Sequence, residues 1–123
     1  MDYKVLDMEK CYRKDIYRHF TMECKCSIMI TSKIDVSDLV AYSKQTGTKF
    51  YINFLYVLTK ALNTRDDYKM RYLYQEDKLV VFDKINTSHY VFHEDTETFT
   101  VVYTEFSEDY QAFYDRCCAD MEK

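Results

Sequence analysis

The segment VFHEDTETFTVVYTEF, from Val91 to Phe106, holds the side chains best suited to acid–base chemistry. His93 lies next to Glu94 and close to Asp95, so a histidine–carboxylate dyad is one interpretation. Alternation along a strand would send His93 and Glu94 to opposite faces, and no serine or cysteine nucleophile lies in a tight turn beside them. We therefore interpret His93 as structural, hydrogen-bonded at a strand end or at a subunit contact.

Cysteines and histidines lack the spacing of a metal centre. Cys24 and Cys26 are two apart and Cys117 and Cys118 are adjacent, whereas zinc sites use CxxC pairs with complementary histidines. Glycine-rich nucleotide loops are excluded as well, because the chain has one glycine and no proline. We expect neither a metal ion nor a nucleotide held by such a loop.

Composition and charge narrow the class of protein. At 123 residues, 47% hydrophobic and 31% charged, the chain is expected to form one domain over residues 1–123. A net charge of -4 disfavours nucleic-acid partners. No apolar run could span a membrane, no export signal is visible and the number of cysteines is odd, which together predict a cytoplasmic protein with reduced thiols and no membrane contact.

The amino-terminal third is predicted to contain a short helix around Lys10 to Phe20 and then a strand over Glu23 to Val36. Alternation of Cys24, Cys26 and Ile28 with polar neighbours supports that strand and places the three on one face.

Two helices are predicted next. The first begins at an N-cap, Asp35 or Ser37, and ends at Gly47. The second has apolar residues at intervals of three and four, so we expect these to pack inward: Phe50, Phe54, Leu55, Leu58, Ala61 and Leu62.

The remainder is predicted to hold a hairpin turning at Gln75 to Asp77, strands over about His89 to Glu94 and Thr98 to Phe106, and a final helix capped by Ser107. These elements predict an α/β (α+β) two-layer sandwich, a mixed sheet with helices packed on one face.

Four ordered segments carry a family resemblance. TSKIDV, KFY, FHEDTETF and the Arg13 of CYRKDIYRHF resemble the N-terminal half of chloramphenicol acetyltransferase across the whole chain. Ile52 replaces the proline usual after KFY. The resemblance implies the CoA-dependent acyltransferase fold, acetyl-CoA as co-substrate, chloramphenicol as acceptor and a homotrimer with active sites between subunits.

Site residues follow from the same resemblance. It implies a hydrophobic antibiotic pocket formed by Phe20, Cys24, Cys26, Ile28, Tyr90, Phe99 and Val101, with Tyr51 and Tyr103 on the cofactor side. From the residues alone, plain core packing remains open for Phe99 and the Cys24 strand face, and helix packing for Tyr51. Phe99, Val101 and Tyr103 share one face of their strand in either case.

The resemblance implies a catalytic histidine in an HHxxxDG motif, and this chain contains neither HH nor DG. Arg13 would support the active site by pairing with that motif's aspartate, so here we expect it to be exposed or paired elsewhere. We expect a truncated, inactive acetyltransferase with an incomplete sheet. The alternative is a non-catalytic fragment of the same fold that binds a hydrophobic ligand or joins subunits.

Overall fold

In a computed structural model, which describes residues 2–123, five strands form two antiparallel sheets. The first sheet has the order β1–β3–β2, with β1 over Tyr3–Val5, β2 over Met70–Leu73 and β3 over Lys78–Phe82. Strand β3 is central, and its Val80 and Val81 are buried. The predicted turn after β2 is confirmed at residues 74–77, where Asp77 has a φ of 51°.

The second sheet is the hairpin of β4 (Thr87–His93) and β5 (Thr98–Thr104). Its tight turn spans residues 94–97, and Glu97 has a positive φ of 51°. Thr87 and His89 on β4 and Val102 and Thr104 on β5 are buried on the side that faces the helices. The predicted α+β class is confirmed, but within residues 2–123 two antiparallel sheets replace the expected single mixed sheet. Strands β2 and β3, and β4 and β5, are each joined by a tight turn, which allows only antiparallel pairing.

The predicted strand over Glu23 to Val36 is wrong. Helix α1 (Lys14–Arg18) continues into a π-helical turn over His19–Glu23, and residues 25–36 have no regular structure. Ile28 and Met29 there are 85% and 93% exposed. Period-two alternation shows which side chains would share a face, but a strand also needs a neighbour for its backbone hydrogen bonds, and none lies beside this segment within residues 2–123.

Helices α3 (Phe50–Asn63) and α4 (Tyr110–Met121) form the main core, and α2 (Ser37–Thr46) packs against α3. Gly47 ends α2 with a φ of 65°, as predicted. The predicted N-cap, Asp35 or Ser37, is wrong: Val36 is the N-cap and makes no side-chain capping bond, because Ser37 is already helical. The side chain of Asp35 instead accepts a hydrogen bond from Ser37 N at 2.9 Å. The core cluster combines α3, α4 and the segment that follows β5: Ile52, Tyr56, Phe106, Phe113 and Cys117.

The buried side of α3 differs from the prediction. Ile52, Asn53, Tyr56 and Thr59 are buried, whereas Phe50 is 39% exposed. Leu58 and Ala61 are also exposed, and Phe54, Leu55 and Leu62 are partly buried. Because α3 is apolar around most of its circumference, the apolar pattern could not decide which side faces α4.

Polar contacts of Asn53 fix which side of α3 is buried. The Asn53 amide nitrogen donates to Ser43 Oγ and Thr48 Oγ1, each at 2.8 Å, and its oxygen accepts from the Tyr110 hydroxyl.

Helix α4 is capped by Asp109, which accepts from Ala112 N at 3.0 Å, so the predicted Ser107 cap is wrong. No helix in the described part of the chain is long and apolar enough to cross a membrane.

Candidate functional site

One side of the β4–β5 hairpin exposes a cluster of large apolar side chains. We call it the aromatic face, and it comprises Tyr90, Phe92, Phe99, Val101 and Tyr103, which are 56% to 69% exposed. Contiguous apolar surface of this kind usually marks a contact with a ligand or another protein. The aromatic face is therefore the candidate binding surface.

Strand register explains how the face is assembled. Phe92 lies opposite Phe99 and Tyr90 lies opposite Val101. The rings of Tyr90 and Phe99 also meet edge-to-face across the diagonal, with centroids 5.1 Å apart. Because neighbouring residues on both strands are buried against the helices, the aromatic face cannot turn inward without exposing the core.

Tyr103 supplies a polar group at the edge of the aromatic face. Its hydroxyl oxygen accepts a hydrogen bond from Asn86 Nδ2, and Asn86 Oδ1 accepts from Phe106 N at 2.8 Å. A tyrosine hydroxyl can donate as well as accept, so its own proton remains able to point toward a ligand. Asn86 thus orients a donor beside an apolar surface.

A second candidate region lies between the α1 segment and the first sheet. It is a cavity of about 590 Å³ lined by Tyr17, Phe20, Thr21, Met22, Lys25, Cys26, Met70, Arg71, Tyr72, Tyr74 and Leu79. The Tyr17 hydroxyl is buried and makes no hydrogen bond within residues 2–123. The volume falls in the range of small-molecule sites.

The predicted pocket residues fall into separate places. Phe20 and Cys26 line the cavity, whereas Cys24 and Ile28 are exposed and lie outside its lining. The four predicted residues of the hairpin, Tyr90, Phe99, Val101 and Tyr103, share the aromatic face, which confirms that Phe99, Val101 and Tyr103 lie on one side of β5. Plain core packing, the alternative for Phe99, is wrong, since its ring is 64% exposed.

Tyr51 and Arg13 lie apart from both groups. Tyr51, on α3, is 44% exposed and contacts His89. Burial of part of its ring raises the pKa of the Tyr51 phenol, so it stays neutral and able to donate. Arg13 is exposed, as predicted, with its guanidinium 5.0 Å from the centre of the Tyr12 ring.

His93 has the structural role expected from the sequence. Its Nε2 lies 2.7 Å from Thr100 Oγ1 across the hairpin, close to the turn. His93 also lies on the helix-facing side of β4, opposite to the aromatic face. The prediction of a hydrogen bond at a strand end is confirmed, and the aromatic face includes neither a histidine nor a carboxylate.

Two residues of the candidate site, Phe92 and Asn86, were not predicted from the sequence. Phe92 follows Tyr90 by two positions, so period-two alternation on β4 could have identified it. Asn86 precedes the strand and carries no periodic signal, because its partners Tyr103 and Phe106 are distant in sequence.

Comparisons of the sequence and of the fold with known proteins all point to the same family. The family model described as chloramphenicol acetyltransferase matches residues 1–123. A chloramphenicol acetyltransferase of Clostridium perfringens is 31% identical over 114 residues, covering 93% of this chain and 52% of the relative. One from Staphylococcus aureus is 29% identical over 123 residues, covering 100% and 56%.

The fold agrees. A solved chloramphenicol acetyltransferase superposes with a TM-score of 0.90 at 19% identity, covering 98% of this chain and 56% of that one. The chain spans about half the length of the curated relatives it matches.

Proposed function

Because the chain belongs to the chloramphenicol acetyltransferase family, we propose that it supplies the substrate-binding wall of an acetyl-CoA-dependent O-acetyltransferase acting on chloramphenicol. The observation that supports this most directly is the aromatic face, where Tyr90, Phe99 and Val101 present apolar surface of the kind that an aromatic antibiotic needs. Phe20 and Cys26 line a separate cavity, which we propose as a further wall of the same pocket.

Tyr103 and Tyr51 are proposed to contact acetyl-CoA. Both are half-exposed, and Asn86 holds the Tyr103 hydroxyl so that its proton can be donated to a carbonyl oxygen. In the transfer, the acceptor's hydroxyl oxygen would attack the thioester carbonyl and a base would take the hydroxyl proton. The C–S bond would then break, and the base would return that proton to the sulfur, so that CoA leaves as the thiol and the acceptor becomes the acetyl ester.

The base would have to come from outside these 123 residues. The chain has three histidines and no HHxxxDG motif, His89 and His93 lie on the helix-facing side of β4, and His19 contacts Glu23 at 3.0 Å. We therefore propose that the 123-residue chain binds substrates without turning them over. Assembly as a homotrimer would bring further groups to the aromatic face.

A reducing compartment is part of the proposal. All five cysteines are free thiols, and Cys117 is buried. Free thiols of this number fit a protein that works in the cytoplasm.

The experiment is an NMR titration of the 123-residue chain with chloramphenicol, with thiol release from acetyl-CoA measured in parallel. We expect shifts at the aromatic face, about tenfold weaker binding in Phe99→Ala, and unchanged binding in the control Tyr68→Ala, whose ring is exposed on another surface. Equal affinities in Phe99→Ala and the unmodified chain would contradict the proposal.

A second function is favoured by the absence of a histidine from the aromatic face. In it, the chain is a non-catalytic protein that holds a hydrophobic ligand or joins subunits. Binding without thiol release, even after mixing with a full-length relative that keeps the HHxxxDG motif but is inactivated in its own substrate-binding wall, would favour this function. Thiol release that appears only in that mixture, and in neither protein alone, would favour the enzyme.

A further inference from the structure

A histidine is buried where the β4–β5 hairpin meets the helices. His89 is 5% exposed, and neither of its ring nitrogens makes a hydrogen bond within residues 2–123. Most buried polar side-chain atoms in proteins have a partner, so an imidazole with two unpaired nitrogens is unusual. A neutral ring tolerates this position far better than a charged one, because burying an unpaired charge is costly.

The groups around His89 come from three elements. Helix α3 contributes Tyr51, whose ring stands edge-on at 5.6 Å, and helix α4 contributes the carboxylate of Asp120. The buried thiol of Cys117, also on α4, lies near Tyr51. Strand β5 contributes Val102, opposite His89 in the register. Burial raises the pKa values of Tyr51 and Cys117, so both are uncharged near neutral pH.

Asp120 is the charged group that acts on His89 and opposes the effect of burial. Asp120 favours the imidazolium, but its oxygens already accept from Thr104 Oγ1 at 3.0 Å and from Lys123 Nζ at 2.7 Å. Lys49, just before α3, acts on Cys117 and not on His89. Burial outweighs the Asp120 carboxylate and lowers the pKa of His89.

We propose that His89 is an acid-sensitive latch: its neutral ring lets the β4–β5 hairpin pack against α3 and α4, and its protonation releases the hairpin. The sign follows from linkage. The folded chain binds the proton of His89 less tightly than the unfolded chain does. The contribution of His89 to the free energy of unfolding is therefore complete above its unfolded pKa of about 6.5, and it is lost as the pH falls below that value.

Release would also displace the aromatic face, which lies on the other side of the same two strands. The proposal for His89 depends on its burial and packing and does not depend on the proposed acetyltransferase function. An experiment can therefore contradict one of the two proposals without contradicting the other.

The test uses the chain with His19→Gln and His93→Gln, which leaves His89 as its one histidine. Imidazole NMR signals and amide protection factors in β4 and β5 are followed from about pH 8 to about pH 5.5, above the range where most carboxylates titrate. The comparison variant adds His89→Phe, which keeps an aromatic ring against Tyr51 and removes the titrating group.

We expect His89 to titrate below its ordinary value, and protection of the hairpin to fall at least tenfold as it does so. The His89→Phe variant should keep its protection over the same pH range. Titration at or above about 6.5, or equal loss of protection with and without His89, would overturn the proposal. If His89→Phe does not fold, the chain that keeps only His89 decides the question. Loss of hairpin protection at the same pH as the titration of His89 supports the proposal, and loss at a different pH overturns it.

Discussion

The ring of Tyr51 stands at 71° to the imidazole of His89, joining the amino-terminal turn of α3 to the buried side of β4. The contact connects a residue assigned to the cofactor side with the strand that carries Tyr90 on its opposite face. One aromatic pair therefore couples the position of α3 to that of the hairpin.

Removing the Tyr51 ring should make His89 easier to protonate. In Tyr51→Ala, water gains access to the imidazole, and we expect the pKa of His89 to rise toward its ordinary value, so that acid destabilises the fold less. NMR titration of His89 measures the change. Tyr51→Phe retains the ring and should leave the pKa of His89 unchanged, and an identical rise in both variants would contradict the packing explanation.

Phe113 should be the most sensitive aromatic residue. It is fully buried, with ring centroids 5.5 Å from Tyr56 and 6.1 Å from Phe106, so Phe113→Ala is expected to cost about 3–5 kcal/mol of unfolding free energy. Urea denaturation measures the loss. Phe99→Ala, at an exposed ring that contacts Tyr90, serves as the control and should change stability by about 1 kcal/mol or less.

The Tyr110 hydroxyl should stabilise the α3–α4 contact through Asn53. Tyr110→Phe leaves the buried Asn53 oxygen without its donor, which is expected to cost about 1–3 kcal/mol. Tyr68→Phe removes an exposed hydroxyl and provides the matched comparison. A double-mutant cycle with Asn53→Ala should show a coupling energy, and additive losses would argue against the hydrogen bond.

Asp109, not Ser107, should cap α4. Because Asp109 accepts a hydrogen bond from Ala112 N, Asp109→Ala is expected to cost about 1 kcal/mol. Ser107→Ala removes only an acceptor for Asp109 N and should cost less. Thermal unfolding of the two variants ranks them, and the reverse order would restore the cap predicted from the sequence.

Substitution of Gly47 should lower the free energy of unfolding because of its backbone conformation alone. Its φ is 65°, while a Cβ added at this position would meet nothing within 4 Å, so Gly47→Ala is expected to cost about 1 kcal/mol from conformational strain. Gly47→Asn should cost less, because asparagine adopts the left-handed conformation more readily. Equal stability of the alanine and glycine chains, measured by urea denaturation, would show that the turn relaxes.

Much of the hairpin could be predicted from the sequence. Alternation of Phe99, Val101 and Tyr103 identified their common side, and FHEDTETF identified the family that the comparison establishes. The buried side of α3 and the cap of α4 could not be predicted, because apolar residues occur around most of α3 and both Ser107 and Asp109 suit a cap.

Local sequence alone determined the turns, the end of α2 at Gly47 and the side of β5 that carries each residue, because each depends on backbone preferences of neighbouring residues. Only the tertiary structure decided that Cys24 to Val36 lies without a strand partner and that His89 is buried against Tyr51. Both depend on contacts with residues distant in sequence. A strand requires a second backbone, and a buried histidine requires helices to cover it.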